Sequence, residues 1–170
     1  DIPDRIVEVN GDISNEYTIA GFKDDYPEKP KQYTASPQVR IMDTAFAFPQ
    51  LNKKRRIWVY LPKNYQTTGK NYPVLYMHDG QNLFNEKAQY GNWEIDKKLS
   101  ILSEYGRGDI IIIAIENGKD DRIKEYILDK SSLTDNAEGK KYIRFVTDTL
   151  KPYVDSVYRT KQEREFTGIG

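Results

Sequence analysis

The fold of this chain is decided by the stretch Tyr72-Pro73-Val74-Leu75-Tyr76-Met77-His78-Asp79-Gly80-Gln81-Asn82-Leu83-Phe84. An apolar run over residues 72–79 ends there in a polar turn that contains glycine. A buried strand that ends in such a turn places backbone N–H groups and short polar side chains at the edge of a sheet, where α/β proteins bind ligands. The stretch therefore predicts a buried strand with a functional site directly after it.

The composition excludes several classes of protein. The 170 residues are enough for one domain, and Lys plus Arg equals Asp plus Glu at 26 each. A balanced chain has no electrostatic footprint for nucleic acid or for an anionic membrane surface. The longest apolar run, residues 110–115, falls far short of the ~18 residues of a membrane span. The absence of cysteine rules out disulfides, thiolate nucleophiles and cysteine metal sites.

The chain before the deciding stretch divides into an arm and a hairpin. Residues 1–38 contain four prolines and many charges, which predicts an extended arm with short strands near 5–9 and 17–20. Residues 39–46 and 55–61 alternate apolar and polar side chains, the period of half-buried strands. Because a turn-like segment joins them, we expect an antiparallel hairpin.

A helix and a second buried strand follow the deciding stretch. Residues 93–105 show the helical period, with Asn92 as the expected N-cap and Gly106 as the expected left-handed residue that ends the helix. Residues 109–116 contain four consecutive isoleucines, which predicts a strand in the centre of the sheet. Asn117-Gly118 ends it in a turn.

The remainder of the chain predicts one loop, one helix and one strand. Residues 118–137 are highly charged and loop-like. Residues 138–159 form the longest helical pattern, in which Pro152 should remove a hydrogen bond and kink the helix. Residues 165–170 begin as a strand. Alternation of apolar strands with amphipathic helices after a hairpin predicts an α/β fold with a mixed, mostly parallel sheet.

Several of these motifs together resemble an esterase family of the α/β-hydrolases. The motifs are Tyr76-Met77-His78-Asp79-Gly80-Gln81-Asn82-Leu83-Phe84, Asn92-Trp93-Glu94-Ile95-Asp96, Ile115-Glu116-Asn117-Gly118 with Arg122 and Glu125-Tyr126, and Leu150-Lys151-Pro152-Tyr153-Val154-Asp155 with Tyr158-Arg159-Thr160. That family includes enterochelin-esterase-like proteins, feruloyl and acetyl-xylan esterases, S-formylglutathione hydrolase and the mycolyl transferases. The likeness covers residues 39–170, which we interpret as the N-terminal part of an α/β-hydrolase domain.

The resemblance implies a fold with helices on both faces of the sheet and a serine nucleophile. In the family, the strand that resembles residues 165–170 leads into a G-x-S-x-G elbow, and the acid and the base histidine follow it. This chain ends at Gly170, just before that elbow. We therefore expect the catalytic triad to lie beyond residues 1–170, in a longer protein.

The resemblance also assigns roles to the polar turn. By similarity to the mycolyl transferases, the backbone N–H of Gln81 is the expected oxyanion donor, and Asp79 is expected to bind a hydroxyl of a sugar-like alcohol. Gly80 would let the chain approach the substrate without a Cβ clash. The alternative interpretation is that Asp79-Gly80 forms only a tight turn. His78 precedes the elbow, so a structural role is expected for it rather than that of the base.

Further substrate-binding residues are expected around this turn. They are Asn82, Trp93, Glu116, Asn117, Arg122 and Tyr126. Trp93 is interpreted as either core or pocket wall. For the segment that contains Arg122, Glu125 and Tyr126, a solvated, salt-bridged loop is the alternative. The sequence supplies no closely spaced ligand set for a metal.

The function implied is that of a serine carboxylesterase acting on a carbohydrate, phenolic or siderophore-like ester, without a metal or organic cofactor. A small-molecule or carbohydrate ester is the expected partner, with no nucleic acid and no membrane span. Two alternatives are an acyltransferase and a non-catalytic carbohydrate-binding protein built on the same fold. Export to the periplasm or the exterior of a bacterium is a further expectation.

Overall fold

The structure of the protein is a computed structural model that describes residues 34–85, 88, 91–131 and 133–170. The two short strands expected near residues 5–9 and 17–20, and most of the expected arm, lie outside the described residues. The described residues form one compact unit.

A mixed sheet of five strands forms the centre of the described part of the chain. Its strands are β1 (Val39–Phe48), β2 (Lys53–Tyr60), β3 (Val74–Met77), β4 (Ile111–Ile115) and β5 (Thr167–Ile169). Their order in space is β1-β2-β4-β3-β5. Strands β1, β2 and β4 pair antiparallel, whereas β4, β3 and β5 pair parallel. The predicted hairpin, the mixed sheet and the central position of the isoleucine strand are all confirmed.

Three of the four described helices lie close to predicted helical segments, one with a shifted start, whereas α2 lies in the segment 118–137 that was expected to be loop-like with a short turn near residues 123–127. They are α1 (Ile95–Glu104), α2 (Arg122–Tyr126), α3 (Gly139–Arg144) and α4 (Lys151–Val157). Helix α1 begins at Ile95 rather than at residue 93, because Glu94 adopts a left-handed conformation with φ 52°. Asn92 caps that preceding turn instead, and its Oδ1 accepts a hydrogen bond from the Glu94 N–H at 3.0 Å. Gly106 is left-handed as predicted, with φ 69°.

The expected kink at Pro152 takes the form of a π-helical segment. Residues Phe145–Leu150 connect α3 to α4 with wider turns, and the Lys151 N–H donates to the Val146 carbonyl five residues earlier. Pro152 has no N–H, and its ring crowds the carbonyl four residues before it. A local π-turn relieves that crowding without interrupting the helical path.

Core residues cover both faces of the sheet because neighbouring strand residues point to opposite sides. On one face, Ile57, Tyr76 and Ile113 pack against side chains of the α3–α4 segment, including Phe145 and Leu150. On the other, Tyr60, Ile112 and Ala114 pack with Leu83 and the α1 residues Ile95 and Leu99. The helices therefore cover both faces, as expected. No helix among the described residues is long and apolar enough to span a bilayer.

Candidate active site

A tight polar turn follows β3 at its carboxyl end. Asp79 is left-handed, with φ 52°, and the 3-10 segment Gly80–Asn82 begins directly after it. The Asn82 N–H closes the turn by donating to the Asp79 carbonyl at 2.8 Å. A short polar side chain such as that of aspartate tolerates this backbone conformation better than most. Within the described residues, the backbone N–H of Gln81 has no hydrogen-bond acceptor.

Gly80 is required by the neighbouring strand. A Cβ at this position would lie 2.8 Å from the carbonyl carbon of Ala114, 3.0 Å from the backbone N of Ile115 and 3.0 Å from the Trp58 ring. Contacts of 2.8 Å to backbone atoms are not tolerated. Gly80 is therefore needed for the close approach to β4, and its expected approach to a substrate stays a prediction.

The carboxylate of Asp79 is held by two side chains from the loop after β4. Arg122 donates from Nε to Oδ1 at 2.8 Å and from Nη2 to Oδ2 at 2.7 Å. Asn117 donates from Nδ2 to Oδ1 at 2.7 Å. The hydrogen bond from Arg122 is the largest cause that lowers the pKa of Asp79 below its usual value. Asp79 is therefore an ionised, fixed acceptor.

A second link connects the ends of β3 and β4. The Asn117 N–H donates to Oε1 of Gln81 at 3.2 Å, and Oδ1 of Asn117 accepts from the Lys119 N–H at 3.0 Å. On the other side of the turn, the Asn82 carbonyl accepts from the Trp93 N–H at 2.9 Å. These bonds place residues of the β3–α1 connection and of the segment after β4 around one opening.

That opening is a pocket of about 710 Å³. Its lining residues are Asp79, Gln81, Asn82, Trp93, Glu116, Asn117, Lys119, Asp120 and Arg122. All but two of these were predicted as site residues. Lys119 and Asp120 were missed, although their position directly after the Asn117-Gly118 turn was a usable signal. Trp93 is 56% exposed, so it belongs to the pocket wall and not to the core.

Tyr126 lies behind the pocket rather than on its wall. Its ring is 5.0 Å from the Arg122 guanidinium, 4.9 Å from the His78 ring and 5.2 Å from the Tyr142 ring. Burial raises the pKa of its hydroxyl to about 12. Its ring supports Arg122 from behind, and its expected contact with a substrate stays a prediction.

His78 joins β3 to two other elements. Its Nδ1 forms a hydrogen bond with the Tyr142 hydroxyl at 2.9 Å, and its backbone N–H donates to the Gly170 carbonyl at 2.7 Å. Burial is the largest cause that lowers its pKa. These contacts agree with the structural role expected for it. In the part of the chain that the structure describes, no group of three or more histidine, aspartate and glutamate side chains could hold a metal ion.

The sheet order, the helices on both faces and the polar pocket at the carboxyl ends of β3 and β4 define an α/β-hydrolase fold. The model of one esterase family, described as "Putative esterase", matches residues 49–169. The chain belongs to that family. No curated protein sequence matches the chain.

Several solved structures resemble this chain in fold. The BES protein from Bacillus cereus has a TM-score of 0.60 at 14% identity, over 85% of this chain and 55% of that one. A ferulic acid esterase has a TM-score of 0.52 at 25% identity, over 81% and 49%. The enterobactin and salmochelin hydrolase IroE has a TM-score of 0.53 at 18% identity, over 79% and 52%. The chain thus spans about half the length of these proteins.

Proposed function

We propose that this chain supplies the oxyanion-side half of the active site of a serine carboxylesterase. Membership of the esterase family supports the activity class. The observation that carries the proposal is the turn at the end of β3, where Gln81 lines the pocket and its backbone N–H has no acceptor among the described residues. An unpaired N–H on a rigid turn is the group that a developing oxyanion requires.

The chemistry explains why one such donor matters. Ester cleavage passes through a tetrahedral intermediate with a negatively charged oxygen, and preorganised N–H groups stabilise it. Loss of one donor costs roughly 3–4 kcal/mol of transition-state stabilisation. The hydrogen bond from Asn117 to Gln81 holds this turn against the sheet, as does the close packing of Gly80 on the β4 backbone. Little reorganisation of the turn should therefore accompany the reaction.

The remaining pocket residues form the proposed alcohol-side subsite. Asp79, Asn82 and Asn117 offer carboxylate and amide groups, and a carboxylate has lone pairs beyond those used by Arg122 and Asn117. The exposed Trp93 ring provides an apolar wall. Two cations, Lys119 and Arg122, face three carboxylates around the opening. That charge balance favours a neutral, hydroxyl-bearing group, such as a sugar or phenolic alcohol, over an anion.

The nucleophile is proposed to follow β5 in the full-length protein, on the elbow that the family resemblance implies. His78 does not serve as its base in this proposal, because the base histidine of the family follows the elbow in the chain, whereas His78 precedes it. Export from a bacterial cell also remains a prediction.

Active-site labelling of the full-length protein tests the proposal. The protein should hydrolyse p-nitrophenyl acetate, and a fluorophosphonate should abolish that hydrolysis. Mass spectrometry of the labelled protein should locate the phosphonate on a serine after Gly170. Hydrolysis that persists with stoichiometric phosphonate bound would contradict a serine mechanism, and the absence of hydrolysis would favour a binding protein.

A further inference from the structure

A buried ion cluster lies beside the pocket, at the other end of α2 from Arg122. Glu125 is fully buried, and its Oε1 accepts from Lys53 Nζ at 2.7 Å and from Nη2 of Arg55. Arg55 is itself buried in β2. A buried carboxylate between two cations is stable only while its geometry and its partners are kept. Glu125 therefore fixes α2 to the first residues of β2.

Helix α2 transmits that anchoring to Arg122. Arg122 and Glu125 are three residues apart, so they lie one turn apart on the same side of the helix. Lys53 also binds Asp121 at 2.7 Å, directly before the helix. A displacement of Glu125 would carry Arg122 with it, and Arg122 makes two of the three hydrogen bonds to the Asp79 carboxylate.

The same carboxylate also contacts the turn that carries Asn117. A Cβ on Gly118 would lie 2.5 Å from Oε2 of Glu125 and 2.7 Å from its carboxyl carbon. The φ of Gly118 is −78°, so the glycine is needed there for space and not for its backbone conformation. Oε2 makes no hydrogen bond within the described residues and packs against this glycine.

We infer that Glu125 is a positioning residue for the pocket. It fixes Arg122 through α2 and Asn117 through Gly118, and these two side chains together hold Asp79. The role of the pocket in catalysis rests on the proposed function. The positioning of Asp79 by Glu125 does not depend on that proposal.

The test is the NMR titration of the Asp79 carboxyl group in Glu125→Gln. Removing a negative charge near Asp79 would by itself lower the pKa of Asp79. Loss of the hydrogen bonds from Arg122 would instead raise this pKa, because the hydrogen bond from Arg122 is the largest cause that keeps it low. We expect the titration midpoint of Asp79 to rise towards the value measured in Arg122→Gln. The sign of the change therefore separates positioning from direct electrostatics.

Two further variants complete the design. Asp129→Asn removes an exposed carboxylate that pairs with Lys140 and does not line the pocket, and it should leave the Asp79 midpoint unchanged. Glu125→Asp keeps the charge but shortens the side chain, and it should raise the midpoint as Glu125→Gln does. A midpoint that falls or stays constant in both Glu125 variants would overturn the inference. Unfolding of both would assign Glu125 to core stability alone and would also overturn it.

Ester hydrolysis by the full-length protein gives a second readout. Glu125→Gln should lower kcat/KM for a sugar acetate more than for methyl acetate, because the methanol released from methyl acetate is too small to make use of the alcohol-side subsite. If the full-length wild-type protein hydrolyses neither ester, the proposed function fails. The NMR titration still decides the role of Glu125 in that case, so the two failures are distinguishable.

Discussion

Arg122 binds both carboxylate oxygens of Asp79, with Nε 2.8 Å from Oδ1 and Nη2 2.7 Å from Oδ2. Arg122 is the first residue of α2, and Asp79 is the left-handed residue that begins the polar turn after β3. A bidentate pair fixes orientation as well as distance. The conformation of the 79–82 turn and the position of α2 are thereby linked.

Replacement of Arg122 by glutamine should destabilise the protein in a pH-dependent way. The pKa of Asp79 is lowered in the folded state. Its ion pair with Arg122 therefore stabilises the protein fully above the ordinary pKa of 3.8, and this stabilisation is lost as the pH falls through the lower pKa of the folded state. Because Arg122 is 45% exposed, we expect only about 0.5 kcal/mol at pH 7. Urea unfolding of wild type and variant should therefore converge under acid conditions. A difference that stays constant with pH would contradict this origin.

Gly118→Ala should destabilise the protein by about 1–3 kcal/mol, because the new methyl group overlaps the buried Glu125 carboxylate. The backbone conformation itself is open to alanine. Gly69→Ala is the matched control, since a Cβ there meets nothing within 4 Å. Urea denaturation of the two variants checks the prediction. Equal stabilities would show that the loop moves freely away from Glu125.

Gly80→Ala should shift the whole turn away from β4, because its Cβ would meet the Ala114 carbonyl carbon at 2.8 Å. If Gln81 is the oxyanion donor, kcat for ester hydrolysis by the full-length protein should fall about 10²–10³-fold. KM should change far less. An unchanged kcat in a folded variant would remove the 79–82 turn from the catalytic step.

His78 should make stability rise with pH on the acid side of neutrality. Burial lowers its pKa from 6.5 in the folded state, so the unfolded chain takes up the proton first as the pH falls. The contribution is complete above pH 6.5 and declines below it, towards the folded value. Chemical denaturation of wild type and His78→Gln between neutral and acid pH should show the slope only in wild type. His78 is the sole histidine, so its imidazole titration can be assigned without ambiguity.

Much of the fold was predictable because local patterns agreed with long-range packing. The alternation of apolar and polar residues is enough to predict β1 and β2, and the run of isoleucines is enough to predict β4. The start of α1 was missed because the left-handed Glu94 leaves no clear mark in the sequence. Pro152 correctly signalled an irregularity, but its π-helical form depends on how the helix packs against the sheet.

The sequence predicted which residues lie near the site better than it predicted the contacts between them. Parallel strands bring the segments after β3 and β4 to one edge, which is why so many expected residues line the pocket. The packing of Gly80 on β4 and of Gly118 on Glu125 depends on atoms far away in sequence. The sequence therefore indicated an approach to a substrate or a tight turn for Gly80, and a turn for Gly118. One available signal was overlooked. Arg55 is in phase with the inward-facing Ile57 and Val59, and a buried arginine requires a carboxylate such as Glu125.

The parallel pairing of β3 with β5 has a consequence for the kinetics of folding. Val74 pairs with Thr167, and the ends of these strands are joined by the bond from His78 to Gly170. Contacts between such distant segments form slowly. The chain between them loses conformational entropy when the segments meet, before the new contacts stabilise the fold. We therefore expect β3 to pair with β4 early and with β5 late. The edge of the sheet that β5 forms would then be one of the last of the described parts to become ordered.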